Sequence, residues 1–154
     1  MDAGENTFRS TQPYLKSTQL LVCPSAVNTA YAPATDANKS SYHVNGVLTG
    51  RAVSVVPNVS EVVQIQESDG NSSSLFLRPM RDICAAGEYN YWHYYTAGAE
   101  QYNLRHFDGG NLLFADGHVK WRKMSTLLAG DFGLTPANTA PTSGNSATCL
   151  AAAF

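Results

Sequence analysis

Asn111-Leu112-Leu113-Phe114-Ala115-Asp116-Gly117-His118-Val119-Lys120-Trp121 decides the fold. An Asp-Gly pair between two such runs is a strong short-range signal for a β-hairpin, because a type I′ turn needs positive φ at both central residues. Antiparallel pairing is therefore expected here. Working outward, Glu61-Val62-Val63-Gln64-Ile65-Gln66-Glu67 sets Val63 and Ile65 against Gln64 and Gln66, the period-two pattern of a half-buried strand closed by Ser68-Asp69-Gly70-Asn71. Ser41-Tyr42-His43-Val44-Asn45-Gly46-Val47-Leu48 alternates in part, with Asn45-Gly46 as a candidate tight turn. Ala52-Val53-Ser54-Val55-Val56 is β-branched up to Pro57, and Thr18-Gln19-Leu20-Leu21-Val22-Cys23-Pro24 reads as a strand that its proline ends. Helical signals are short. Phe8, Gln12, Tyr14 and Leu15 suit one or two turns limited by Pro13, and Ser125 caps a turn over residues 126–129 that Gly130 stops. The expected fold is α+β, mainly β: an antiparallel sheet with short helices.

At 154 residues and 16.6 kDa the chain is one ordinary domain, long enough to bury roughly 70% of the surface its unfolded form exposes. Only 14% of residues are charged, against about 25% in typical soluble domains, while Asn, Ser and Thr number 37. The net charge of -2 gives no electrostatic footprint for phosphate backbones or anionic lipid, so nucleic-acid and membrane-surface binding are disfavoured. No apolar run approaches the ~18 residues of a membrane span, and the first ten residues lack the apolar core of a signal peptide. Residues 1–134 read as a globular head and residues 135–154, rich in Thr, Ser, Asn, Ala and Pro, as a tail that is extended unless Cys149 ties it down.

Cys23, Cys84 and Cys149 are far apart and show no CxxC or Cys/His ligand spacing, which argues against a zinc motif. Low charge and abundant Asn, Ser and Thr suit an extracellular protein. One disulfide with one cysteine left over, Cys84 and Cys149 being the candidate pair, stands beside the alternative of three buried thiols.

Catalytic patterns are absent from the sequence: there is no Gly-x-Ser-x-Gly elbow, phosphate loop, dinucleotide turn or His-Glu-x-x-His. His43, His93, His106 and His118 show no ligand pair, and a calcium site of Asp108 and Asp116 with carbonyls near Gly109-Gly110 competes with a plain turn there. Neither catalytic residues nor a resident cofactor are expected. The cluster Tyr89-Asn90-Tyr91-Trp92-His93-Tyr94-Tyr95 is either half of a sheet core or a stacking platform for sugar. Asn38, Asn58 and Asn71 head Asn-x-Ser triplets in predicted loops and are candidate glycosylation sites.

The stretch His106-Phe107-Asp108-Gly109-Gly110-Asn111-Leu112-Leu113-Phe114-Ala115-Asp116-Gly117 has a histidine, nine residues, then Asp-Gly. It resembles the H-X9-DG signature of prepilin-type, type IV pilin or pseudopilin-like proteins. Pro13-Tyr14-Leu15-Lys16-Ser17-Thr18-Gln19-Leu20-Leu21-Val22-Cys23-Pro24-Ser25 is similar to the segment those proteins carry after their N-terminal helix. Residues 41–46 and 60–69 fit the strands between, so the likeness spans about residues 10–125. Family members begin with a basic leader, a Gly-Phe-Thr-Leu-x-Glu processing site and a long apolar helix. This sequence has none of these, so the resemblance implies either a pilin-like head separated from its helix or a divergent relative that assembles through its globular surfaces alone.

The resemblance implies a structural subunit of an extracellular filament or cell-surface appendage, a homo-oligomer without enzymatic activity, with glycans as candidate attachments. His106, Asp116 and Gly117 are expected to be structural, His106 reaching the Asp116 carboxylate or a turn carbonyl. Two rivals are a carbohydrate-binding module using Tyr89, Tyr91, Trp92, Tyr94 and Tyr95, and a hydrolase pairing His93 or His106 with Asp108 or Asp116.

Overall fold

The computed structural model describes residues 12–25, 40–72, 79, 81, 84–91, 106–140 and 148–154. These residues form two antiparallel sheets joined by short 3₁₀ turns, and they contain no α-helix. The first sheet has the order β1-β2-β4-β5, with β1 at Ser40–Val44, β2 at Val63–Ser72, β4 at Gly109–Phe114 and β5 at Val119–Lys123. The second has the order β3-β7-β6, with β3 at Glu88–Asn90, β6 at Leu134–Thr135 and β7 at Cys149–Ala152. The fold is thus mainly β, and its helical component is reduced to 3₁₀ turns. No helix among the described residues is long and apolar enough to cross a membrane.

The main core lies between the sheets. It gathers Val47, Val63, Leu112 and Phe114 with Tyr89, Tyr91, Phe132, Leu134 and Leu150. A smaller cluster, Leu21 and Val44 with Leu15, Tyr42 and Ile65 packed against them, covers the opposite face of β1 and β2. Strict alternation would put Val63 and Ile65 on one face. An irregularity between the pairs Val63–Phe114 and Ile65–Leu113 breaks the register, as a β-bulge does. Val63 therefore faces the main core while Ile65 and, two residues on, Glu67 face the smaller cluster.

The hairpin joins β4 to β5, but its turn is not type I′. Phe114 N–H donates to the His118 carbonyl, Gly117 N–H donates to the Phe114 carbonyl, and Gly117 has φ 93 whereas Asp116 has no positive φ. This is a three-residue loop with a type I turn and a left-handed glycine, so the sequence demands glycine only at its last position.

Other local expectations are corrected. Thr18–Leu21 is a 3₁₀ turn capped by the Ser17 hydroxyl, which accepts from Gln19 N–H; it is not a strand. Val53–Val55 is likewise a 3₁₀ turn, exposed to solvent, and residues 124–132 hold two 3₁₀ turns, Met124–Thr126 and Ala129–Phe132, the second ended by left-handed Gly133. Near the N-terminus the helical turn is a 3₁₀ turn at Gln12–Tyr14; Phe8 lies outside the described residues. Asn45-Gly46 does not connect two strands directly. The buried Asn45 side chain accepts from Val47 N–H and donates to the carbonyls of Val63 and Phe132, pinning the turn after β1 to both core walls.

Within residues 135–154, Thr135 and Cys149–Ala152 belong to the second sheet. A disulfide joins Cys84 to Cys149, and β7 lies in the middle of the second sheet, pairing Asn90 with Cys149 on one side and Thr135 with Ala151 on the other. Leu150 of this strand is part of the main core.

Candidate functional site

Cys23, Glu67 and His106 converge from three distant parts of the chain. Glu67 is placed by β2 opposite Tyr42 of β1, on the face covered by the segment 15–23. Cys23 is held at the end of that segment: its N–H donates to the Ser41 hydroxyl, and the Ser40 hydroxyl donates to the Leu21 carbonyl. Both hydroxyls belong to β1, so the sheet edge itself docks the segment.

His106 is positioned from the other side. It stands at the turn before β4, where Phe107 and Asp108 both adopt φ 60, and the Trp121 indole N–H donates to its carbonyl at 2.7 Å. Trp121 can lie there because residue 109 is glycine. A Cβ on Gly109 would come within 2.4 Å of the Arg122 carbonyl and 2.6 Å of the Trp121 ring. The Gly109-Gly110 pair thus opens β4, and the first glycine is required by close approach of its neighbour strand.

At the centre, His106 Nε2 lies 3.1 Å from Glu67 Oε1 and 3.5 Å from Cys23 Sγ. The other oxygen of Glu67 accepts from the Asn111 backbone N–H at 3.2 Å and from its side-chain amide at 3.4 Å. Glu67 is 2% exposed and His106 30% exposed, so the cluster is buried on the strand side and reaches solvent through the imidazole. Burial pushes the Glu67 carboxyl up, but hydrogen bonds from the Cys23 thiol, the Asn111 amide and the His106 ring outweigh it and hold it below the ordinary carboxylate range. Tyr42 is pushed up by its burial, then by the negative charge of Glu67 and Cys23.

The arrangement differs from a nucleophile–base–acid relay. In such a relay the acid and the nucleophile meet opposite ring nitrogens of the histidine. Here both meet the same atom, Nε2, and all three ligand-type atoms lie within 4.8 Å of one another. Convergence on one point suits mutual locking of three chain segments, and these three side chains are the described residues able to hold a metal ion together.

The structure redistributes the residues singled out in the sequence. His106 does not reach Asp116. The partner of Asp116 is His118, whose Nδ1 lies 2.6 Å from Oδ1 and whose ring stacks on Phe114. The His118 N–H and side chain hold the exposed Asp116 carboxyl below its ordinary range. Asp108 and Asp116 flank β4 at opposite ends, roughly 20 Å of strand apart, so they do not form a joint calcium site. Neither aspartate pairs with His106 as a hydrolase would require. His43 is buried in β1. Tyr89 and Tyr91 are buried in the main core and form no exposed platform, while Trp92, His93, Tyr94 and Tyr95 lie outside the described residues. Asn58 is exposed in a turn with φ 53, Asn71 lies in β2 and not in a loop, and Asn38 lies outside the described residues.

Sequence spacing shows no Cys/His pair because Cys23 and His106 are 83 residues apart. Glu67 carried only a weak signal: a charged residue at the end of a half-buried alternating strand. Compared with known proteins, the chain matches no family model, no curated protein and no solved structure.

Proposed function

We propose that this protein is a structural, pilin-like subunit of an extracellular filament or surface appendage, assembling with copies of itself. One observation carries the reading: Cys23, Glu67 and His106 come from three of the segments that carry the pilin-like resemblance, His106 being the histidine of H-X9-DG, and they meet in one cluster. The histidine of the motif acts as a staple. It locks the segment 12–25 onto the sheet.

A second feature suits assembly. β5 is the edge of the described first sheet, with Val119 63% exposed and Trp121 43% exposed. Unpaired strand edges bearing apolar side chains are templates for another chain. A surface poor in charge lowers the repulsion between identical copies.

The test compares the unmodified chain with Val119→Lys at the surface of the producing cell. The unmodified chain is expected in a sedimentable polymer, and the variant in a soluble form with unchanged thermal unfolding. Recovery of the unmodified chain as a soluble monomer alone overturns the proposal.

A further inference from the structure

We infer that Cys23, Glu67 and His106 form a zinc site. The donor set selects the ion. A thiolate and an imidazole favour a borderline or soft divalent metal over calcium or magnesium, and a single carboxylate completes a neutral-to-anionic S, N, O set that zinc accepts. The separations fit as well. With ordinary zinc–ligand distances in a tetrahedron, sulfur and nitrogen are about 3.6 Å apart and nitrogen and oxygen about 3.3 Å. The structure has 3.5 Å for Cys23 Sγ to His106 Nε2 and 3.1 Å for His106 Nε2 to Glu67 Oε1.

The surroundings are those of a supported site. Ligands to metals are oriented by further hydrogen bonds. Glu67 turns one oxygen toward the cluster while the other is held by Asn111. Cys23 is fixed through its backbone to Ser41, and the His106 backbone is fixed by Trp121. Three protein ligands leave a fourth position, and His106 is the partly exposed member, so water fills that position from the solvent side.

The site also accounts for the odd cysteine. Cys84 and Cys149 are joined, and Cys23 stands outside that bond. A thiolate coordinated to zinc is shielded from exchange with the disulfide. Zinc adds a bond between the segment 12–25, β2 and the turn before β4, strengthening the same staple by which the subunit is built. The inference stands apart from the filament reading: zinc binding is a property of the single domain and is read whether or not the chain polymerises.

The test uses the purified full chain with its disulfide intact, stripped by chelator and titrated with zinc, then with cobalt(II) as a spectroscopic substitute. One zinc per chain is expected, with a thiolate-to-cobalt charge-transfer band and the visible absorption of a tetrahedral ion. Cys23→Ser is expected to abolish the charge-transfer band, and His106→Gln to weaken zinc binding by at least about 100-fold, since it removes a ligand where loss of a supporting contact alone costs about 10- to 100-fold. His118→Ala, which alters the other His/carboxylate pair, is expected to leave both unchanged. No zinc uptake, uptake without the charge-transfer band in the unmodified chain, or uptake undiminished in Cys23→Ser overturns the inference. The band in the unmodified chain decides the matter even where a variant does not fold.

Discussion

Replacing Glu67 by alanine removes the centre of the three-segment cluster. The carboxylate is buried, faces His106 Nε2 at 3.1 Å and accepts from the Asn111 amide at 3.2 Å. Removing one member of a buried ionic or hydrogen-bonded group costs about 3–5 kcal/mol, chiefly because its partners are left buried and unsatisfied. Since His106 reaches solvent, the lower end applies, about 3 kcal/mol for Glu67→Ala. Glu67→Gln keeps the shape and an acceptor for Asn111, and loses the charge and one acceptor on the side facing His106 and Cys23, at about 1 kcal/mol. For a chain of this length each 1 kcal/mol moves Tm by about 2–4 °C, so the expected falls are roughly 6–12 °C and 2–4 °C. Thermal unfolding in the presence of chelator measures these falls without any contribution from bound metal. Thiol labelling supplies an independent readout, because Cys23 is the only cysteine outside the disulfide and is buried beside Glu67. Glu67→Ala is expected to speed its labelling under native conditions, and Glu67→Gln to leave it slow. Equal Tm values for the two variants, with Cys23 equally protected in both, would refute the reasoning that Glu67 holds the segment 12–25 in place.

Other outcomes follow from the same structure. Gly117→Ala, forced to φ 93, is expected to lower stability by about 1–2 kcal/mol and to lower Tm more than His118→Ala does; equal Tm values would contradict the left-handed requirement. Reduction of Cys84–Cys149, which are 65 residues apart, is expected to cost about 4 kcal/mol by loss of the loop constraint, seen as a lower urea midpoint in reductant. The Tyr91 phenol is pushed up by burial and then by the charge of Asp131. Its folded pKa lies above the unfolded value of about 10, so its contribution to stability is intact below pH ~10 and is lost as pH rises above it. Alkaline unfolding is therefore expected to bring Tyr91 ionisation with it, and Tyr91→Phe to flatten the decline; ionisation of all tyrosines in the folded chain would contradict this.

What could be read from sequence was local. The β4–β5 hairpin was legible because Asp116-Gly117 and its flanking runs lie within eleven residues, and β2 was legible from the alternation around Ile65. The turn type was not, because Ala115 joins the loop and only Gly117 needs positive φ. Residues 18–24 misled because an apolar run suits either a strand or a short turn that buries Leu21 and Cys23. The cluster itself was hidden for a topological reason. His106 looks toward Asp116 in sequence, yet β4 carries Asp116 to the far end of the sheet while the bulge in β2 turns Glu67 toward the histidine. Likewise β7 has little pattern of its own in Cys149-Leu150-Ala151-Ala152; its place is set by partners on both sides and by the bond to Cys84.

The claim that this domain is the head of a self-assembling surface subunit is tested most directly by immunogold electron microscopy of native surface material, using antibody raised against the folded chain. The account predicts gold along fibres, with the spacing of a regular subunit repeat. Labelled single particles in a preparation without labelled fibres would contradict it.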